Sequence, residues 1–269
     1  MTQAADITTR LTAALPIVEA AGAHALRYFR QPLAVENKLA GHGGAGGFDP
    51  VTVADREVEA LIRERLLALW PDCPVEGEEA GLTPGTGPWS WIVDPIDGTR
   101  AFISGMPAWG VLLGLRHEGQ PVGGMMHQPF TGETFLGGAG HALHRRNGVE
   151  TPLATSRRTD LGGAILYSTH PDIFTTDATR AGFARVARAV RMVRYGGDCY
   201  AYCLLAMGFV DLVVESSLQP YDIQPVAPII TAAGGVVTDL DGAPPLRGGT
   251  VVAAATPELH AAALELMRG

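Results

Sequence analysis

The segment IVDPIDGT, at positions 92–99, constrains the fold most strongly, because it places two carboxylates three residues apart after an apolar run. The run Trp89–Val93 predicts a buried strand, which Asp94 closes while Asp97 opens the following turn. Carboxylates at the edge of a buried strand cost free energy unless they are paired or hold a metal ion. The segment therefore predicts a strand that ends at an ion-holding site.

The composition is that of an ordinary globular protein. The chain has 269 residues, of which 46% are hydrophobic and 18% charged, enough for one large domain or two small ones with a sizeable core. The formal net charge of −8 argues against a nucleic-acid backbone as the main partner, and it suits either divalent cations or plain solubility. Three cysteines without a CxxC motif indicate reduced thiols.

The sequence predicts a soluble, cytoplasmic protein without a membrane partner. No apolar run approaches the ~18 residues of a membrane-spanning helix. The first ten residues, MTQAADITTR, lack the basic-then-apolar order of a secretory signal, so nothing in this stretch predicts export.

Helical and strand patterns alternate along the chain and predict an α/β protein with layered elements. In the first half they predict helices over about 7–29 and 55–69 and strands over 89–93, 110–116, 123–127 and 134–138. Pro16 either kinks the first helix or lies in the first turn of a second one. In the second half they predict helices over 179–189, 200–207, 223–233 and 257–267 and strands over 210–215, 236–239 and 251–254. A boundary near 140–155 divides the chain into halves 1–145 and 146–269.

Four short segments place carboxylates at the ends of apolar elements. The acids are Asp49 and Asp55, Glu78 and Glu79, Asp94 and Asp97, and Asp222. Simpler roles are available, since Asp55 and Asp222 can cap helices and Glu78-Glu79 can form a solvated turn. Taken together the acids indicate Mg²⁺, which prefers hard oxygen ligands and keeps several waters. The His and Cys residues lack the spacing of a zinc site.

Gly98-Thr99, directly after the second acid, suits a phosphate, because a glycine lets backbone N–H groups approach and a helix start attracts anions. A phospho-aspartate mechanism is disfavoured, since Asp94 and Asp97 are three apart and such side chains on an extended strand do not point the same way. The glycine-rich stretch 41–47, after Lys38, predicts a mobile loop and lacks the Lys-Ser/Thr of a P-loop.

Five segments, in this order, resemble the inositol monophosphatase superfamily. They are DPVTVAD (49–55), GEE (77–79), WIVDPIDGT (91–99), YDIQP (221–225) and ITAAGG (230–235). The resemblance implies a layered αβαβα sandwich of the inositol monophosphatase or sugar phosphatase type, assembled as a homodimer. It also implies hydrolysis of small phosphate monoesters with two to three Mg²⁺ ions per active site.

The resemblance further implies roles for individual residues. The residues that match metal ligands are Glu78, Asp94, the Ile96 carbonyl, Asp97 and Asp222, and Glu78 also counts as catalytic. Asp55 and Thr99 match the pair that aligns and deprotonates the attacking water. Lys38 and the glycine-rich stretch match a mobile segment that closes over a third metal ion. Tyr221 and Ala101 depart from the Trp and Asn that are common in the superfamily.

The segment RYGGDCYAY (194–202), followed by DLVVE (211–215), resembles the histidinol-phosphate phosphatase branch of this superfamily. Asp198 stands where inositol-type members have small residues, and a carboxylate there favours a substrate with an ammonium group. Asp198 and Glu215 are then the expected partners of the amine and the imidazole of histidinol phosphate. Asp198 can instead cap a helix that begins at Cys199.

The remaining substrate contacts and the expected activity follow from the same resemblance. Asp97, Gly98 and Thr99 are expected to face the substrate beside Asp198 and Glu215. The expected activity is hydrolysis of L-histidinol phosphate to L-histidinol in histidine biosynthesis, and the alternative is a broad inositol-1-phosphate phosphatase. A non-catalytic binding relative would have a broken ligand set, whereas every matched acid is present here.

Overall fold

The computed structural model describes residues 3–37 and 50–269. The predictions for Lys38, Asp49 and the glycine-rich stretch 41–47 lie outside the described residues. In chain order the first elements are α1 (Gln3–Ala25), β1 (Val35–Asn37), β2 (Pro50–Thr52), α2 (Val53–Leu69), β3 (Val75–Gly77), β4 (Gly81–Thr83), β5 (Trp89–Asp97), α3 (Thr99–Ser104), β6 (Gly110–His117), β7 (Gln120–Gln128), β8 (Glu133–Gly138), β9 (His141–Arg146) and β10 (Val149–Pro152). The later elements are β11 (Ile165–Ser168), α4 (Asp177–Ala189), β12 (Met192–Tyr195), α5 (Asp198–Ala206), β13 (Leu212–Leu218), α6 (Pro220–Ile223), α7 (Ala227–Ala232), β14 (Val236–Asp239), β15 (Gly249–Ala254) and α8 (Pro257–Arg268).

The elements form five layers. An eight-stranded sheet has the order β10-β9-β8-β7-β6-β5-β3-β4, and a five-stranded sheet has the order β12-β11-β13-β15-β14. Helices α1 and α2 cover the outer face of the large sheet, and α4 and α8 cover the outer face of the small one. Helices α5, α6 and α7 lie between the sheets. The predicted αβαβα sandwich is confirmed, while the division at 140–155 stays a prediction.

The middle layer lies in close contact with the large sheet because three glycines form a row on the facing side of that sheet. Gly114, Gly124 and Gly137 are direct cross-strand partners on β6, β7 and β8. A Cβ atom at Gly124 would overlap the carbonyl oxygen of Pro225, and one at Gly137 would overlap the Cα atom of Ile229. The glycine row therefore seats the backbone that follows α6 directly on the sheet.

The structure decides the continuity of two predicted helices. The first helix continues through Pro16, and both Pro16 and Thr12 are exposed, so water can satisfy the Thr12 carbonyl that Pro16 leaves without a donor. The single helix predicted over 223–233 is wrong, because the structure has α6 and α7 with a break between them. Pro225 and Pro228 lack the N–H groups that a continuous helix needs.

The helices give no sign of a membrane span. Within residues 3–37 and 50–269, no helix is both long enough and apolar enough to cross a bilayer.

Candidate active site

A bulge in β5 brings the carboxylates of Asp94 and Asp97 together. The strand runs through both Asp94 and Asp97, so the prediction that Asp94 closes it and Asp97 opens a turn is wrong. The pairing of β5 with β6 shifts register between these two residues, and such a shift cancels the alternation that would send the side chains to opposite faces. Carboxylate oxygens of Asp94, Asp97 and Asp222 lie within 4.8 Å of one another.

Asp55 and Asp222 enter the site from the first turns of two helices, in the same way. Asp55 is the third residue of α2 and accepts hydrogen bonds from the Thr52 backbone N–H (2.8 Å) and hydroxyl (2.6 Å). Asp222 is the third residue of α6 and accepts one from the Gln219 N–H (2.8 Å). Each acid completes a reciprocal cap at its helix start. The alternative in which Asp55 is the N-cap itself is wrong, because Thr52 holds that position.

Glu78 follows β3 and is held beside β5, since its backbone N–H donates to the Val93 carbonyl (3.3 Å). It is half-buried, and its charge raises the pKa of Asp94. The next two N–H groups, of Glu79 and Ala80, donate to the carboxylate of Glu59 (2.7 and 3.0 Å). The loop of residues 78–80 is therefore held by hydrogen bonds to α2 and is not a freely solvated turn.

Glu59 and its partner Arg63 are supporting residues that the motif analysis missed. Both are buried on α2, and they form an ion pair of 2.7 Å one helical turn apart. Arg63 also donates to the Val75 carbonyl and the Thr83 hydroxyl. The signal was available, because charged residues at a spacing of four occupied the apolar face of α2.

Gly98 turns the chain from β5 into α3. Its φ of 80° lies in the left-handed region, which glycine adopts without steric cost. The next residue, Thr99, donates its hydroxyl to the Ile96 carbonyl (3.2 Å). A Cβ atom at Gly98 would lie 3.0 Å from the Cβ atom of Asp198, so the close approach of these two segments also requires glycine.

The three clustered acids carry an electrostatic cost. Burial, followed by the charges of Glu78, Asp97 and Asp222, raises the pKa of Asp94 well above its usual value. Burial and the charge of Asp222 raise the pKa of Asp97 to about 7, although the Cys199 N–H donates to it (2.9 Å). A divalent cation with a preference for carboxylate and carbonyl oxygens would relieve this repulsion, so the donor set fits Mg²⁺.

A cavity of about 200 Å³ opens beside the cluster, between α5, α6 and β13. Its carboxylates belong to Asp97, Asp198, Glu215 and Asp222. No Lys, Arg or His is present among the described residues that line it. Larger surface grooves of about 650 and 380 Å³ lie along α1 near β8 and β9, and none of these acids lines them.

Asp198 is the first residue of α5, and its backbone φ of 42° is in the left-handed region. The alternative in which Asp198 caps this helix is wrong, because Gly197 is the N-cap and no side chain caps it. Burial and the charge of Asp97 raise the pKa of Asp198 to about 7, against the opposing effect of Arg100. A non-glycine residue in this conformation is often found where function requires it.

Glu215 lies on β13 and is 3% exposed. It accepts a hydrogen bond of 2.6 Å from the hydroxyl of Thr169, a residue that the motif analysis did not single out. Burial raises the pKa of Glu215 to about 8, although that hydrogen bond favours the ionised form. The structure therefore brings Asp198 and Glu215, the predicted partners of the amine and the imidazole, to one cavity.

Comparison with known proteins places this site in a family. The family model described as the inositol monophosphatase family matches residues 6–268. The chain belongs to the inositol monophosphatase family. Members of this family are phosphatases that act on small phosphate monoesters and are generally dependent on Mg²⁺.

Two relatives and one solved structure show how this family member compares with others. It is 36% identical to the bifunctional phosphatase IMPL2, chloroplastic, of Arabidopsis thaliana, over 93% of this chain and 72% of the relative. It is 33% identical to a histidinol-phosphatase of Chlorobaculum parvum, over 88% of each chain. An inositol monophosphatase from Zymomonas mobilis has a similar structure, with a TM-score of 0.83, 32% identity and 99% of each chain covered. A protein named histidinol-phosphatase and a protein named inositol monophosphatase are thus both similar to this chain.

The metal-free form of this inositol monophosphatase family member is expected to lose stability as the pH rises from about 6.5 to 8. Burial raises the pKa of Asp55 to about 6, of Asp97 to about 7 and of Glu215 to about 8, so the folded protein keeps protons that the unfolded chain has released. This contribution is present at low pH and is lost as the pH passes each folded-state pKa. His127 has the opposite effect, because burial lowers its pKa to about 4 and its contribution to stability therefore grows as the pH rises. This growth is complete once the pH exceeds the ordinary histidine pKa of 6.5.

Thermal unfolding in EDTA at the two ends of this pH range measures the effect. The expected result is a lower midpoint at the higher pH and a smaller difference once Mg²⁺ is added, because the cation neutralises the same carboxylates. A metal-free midpoint that rises with pH over this range would contradict the electrostatic account.

Proposed function

We propose that this protein is a Mg²⁺-dependent phosphatase that hydrolyses L-histidinol phosphate to L-histidinol in histidine biosynthesis. The charge of the cavity beside the acid cluster carries the proposal. Asp97 and Asp222 are matched to metal binding, which leaves Asp198 and Glu215 to face the alcohol half of the substrate. A neutral polyol does not require two further buried carboxylates, whereas an ammonium or imidazolium group compensates their charge through strong hydrogen bonds.

The second candidate is a broad inositol-1-phosphate phosphatase. The Thr169–Glu215 pair favours it, because a carboxylate and a hydroxyl can also bind the hydroxyl groups of a polyol. The similarity to the Zymomonas mobilis protein supports it as well. Asp198 distinguishes the two candidates, since a polyol gains no charge compensation from that residue.

The residues suited to hold the metal are Glu78, Asp94, the Ile96 carbonyl, Asp97 and Asp222. Bound there, Mg²⁺ would supply a Lewis acid that lowers the pKa of water and neutralises charge on the phosphate. Two to three ions per active site and a homodimer are parts of the proposal that follow from the family resemblance, and a cytoplasmic location is a part that follows from the sequence composition.

Asp55 and Thr99 would prepare the attacking water. The pKa of Asp55, about 6, is close to neutral pH, which suits a group that accepts a proton during the reaction. The Thr99 hydroxyl donates to the Ile96 carbonyl, so its oxygen is free to accept a hydrogen bond from that water. The backbone at Gly98 and Thr99 would contact the phosphate. Direct attack by water leaves no role for a cysteine nucleophile, and Cys199 and Cys203 are buried.

The substitutions Asp198→Asn and Glu215→Gln test the substrate assignment. Asparagine is chosen because it tolerates the left-handed backbone of Asp198, which alanine does not. We expect the ratio of kcat/KM for histidinol phosphate to that for inositol 1-phosphate to fall about tenfold to a hundredfold in each variant, as for a lost hydrogen bond to a charged group. Phosphate release at saturating Mg²⁺ measures both values.

Asp177→Asn provides the matched control, because it removes an exposed acid on α4 that pairs with Arg180. It should leave the ratio unchanged. If Asp198→Asn lowers both activities equally, or neither, Asp198 does not recognise the amine and the inositol-phosphate candidate is favoured.

A further inference from the structure

One guanidinium connects residues that lie two positions away from two of the proposed metal ligands. Arg116, near the end of β6, donates from Nη1 to Glu76 Oε2 (2.6 Å) and from Nε to Gln224 Oε1 (2.5 Å). Glu76 lies on β3 two residues before Glu78, and Gln224 lies two residues after Asp222. We infer that Arg116 is a positioning residue for metal binding, which sets the separation of Glu78 and Asp222 by holding Glu76 and Gln224. The inference rests on the proposed metal-dependent function.

The sheet directs Arg116 to this location. Arg116 and Gly114 are two residues apart on β6 and therefore project from the same face, the face on which Pro225 packs. Glu76 pairs with Ile92 of β5, and Ile92 pairs with Gly114, so Glu76 projects from this same face two strands away from β6. The side chain is half-buried, so its contacts are less screened by water than those of a surface pair.

Gln224 connects Arg116 to the segment after α6, because both the oxygen and the nitrogen of its side-chain amide form hydrogen bonds. The residue is 4% exposed, and its Nε2 donates to the Leu246 carbonyl (2.6 Å). Without Arg116 the amide oxygen would be buried and unpaired, a costly state that favours movement of the segment after α6. Asp222 is on α6, for which Gln224 is the C-cap, so any such movement changes the spacing of the acid cluster.

The two-way contact depends on the shape of arginine. Two N–H groups of one planar guanidinium point to two partners that lie 148 residues apart in the chain, Glu76 and Gln224. A lysine ammonium has no such fork, and a methionine keeps only the apolar stem. Arg116→Met therefore removes the connection while preserving most of the packing.

Metal binding without substrate tests the inference. We propose to measure Mn²⁺ affinity by electron paramagnetic resonance, with Mg²⁺ as competitor, for wild type, Arg116→Met, Gln224→Met and the double variant. Loss of a residue that orients a metal ligand typically weakens affinity about tenfold to a hundredfold, and we expect this range for each single variant. The double variant should be no weaker than the weaker single variant, because both substitutions break the same connection.

Arg185→Met is the matched control. Arg185 also joins two elements, since it donates to the Leu266 and Met267 carbonyls of α8, but it lies in the outer layer of the small sheet. We expect its Mn²⁺ affinity to equal that of wild type, even if its unfolding midpoint falls. An unchanged Mn²⁺ affinity in Arg116→Met, or additive losses in the double variant, would overturn the inference. Failure of the wild type to bind Mn²⁺ would instead overturn the proposed metal-dependent function.

Discussion

Asp94→Asn is expected to reduce phosphate release about a thousandfold or more while the metal-free protein unfolds at a higher temperature. Asp94 is 2% exposed and surrounded by carboxylates, so loss of its charge relieves repulsion in the folded state. The asparagine oxygen can still accept the hydrogen bond that the Ile96 N–H donates (3.1 Å), which keeps the bulge intact. Activity falls because the cluster loses one of the three oxygens that converge within 4.8 Å.

The corresponding substitution at Asp211 should lower stability and leave activity unchanged, which is the opposite of the result expected for Asp94→Asn. Asp211 is also buried, but it accepts hydrogen bonds from the Ser156 hydroxyl and the Ile165 N–H (2.9 Å), away from the cluster. Asp211→Asn should lose stability by about 1–3 kcal/mol, because the new amide nitrogen cannot accept a bond, and keep its activity. Calorimetry in EDTA and phosphate release separate the two variants. An Asp94→Asn protein with wild-type activity would remove the basis for the metal site.

Gly124→Ala is expected to have the second largest effect. The added methyl group would overlap the carbonyl oxygen of Pro225, and neither backbone can yield without moving the segment that follows Asp222. Overpacking of this kind costs about 1–3 kcal/mol or more. A displacement of about 1 Å at a catalytic site lowers the rate about a hundredfold, so we expect a loss of that size even in the folded fraction.

Gly87→Ala is the control for this substitution. A Cβ atom at Gly87 would meet its nearest neighbour, the Asp72 carbonyl oxygen, at 3.8 Å, which is ordinary contact. That variant should match wild type in activity and in its unfolding midpoint. Full activity in a folded Gly124→Ala protein would show that the glycine row does not position Asp222.

The layered fold was predictable where an element carries a strong periodic pattern. The apolar faces of α1 and α2 and the continuous apolar run of β5 identify these elements from sequence, and the structure confirms them. The short strands β11 and β12 were missed, because four residues show too little alternation to be distinguished from a loop. They become strands through tertiary pairing in the small sheet.

The acids of the site were recognisable because their types and spacing have a chemical reason, but their geometry was not. Period-two alternation separates Asp94 from Asp97, and only the register shift in β5 reunites them. Local sequence also left open a helix cap at Asp198, whereas the structure has a left-handed residue that lines the cavity. Arg116 belongs to no motif, and its contact with Gln224 of the YDIQP segment joins residues 108 positions apart. The roles assigned to individual site residues stay predictions until variants are measured.

The most direct test of the account is the hydrolysis of L-histidinol phosphate and inositol 1-phosphate by the wild-type protein, compared side by side with Mg²⁺ and with EDTA. We predict that kcat/KM is at least about tenfold higher for histidinol phosphate than for inositol 1-phosphate, because only histidinol phosphate forms a charged hydrogen bond with Asp198 and Glu215. In EDTA we predict no turnover of either substrate. Equal or faster cleavage of inositol 1-phosphate would contradict the role given to Asp198 and Glu215. Turnover that survives removal of Mg²⁺ would contradict the metal site at Asp94, Asp97 and Asp222.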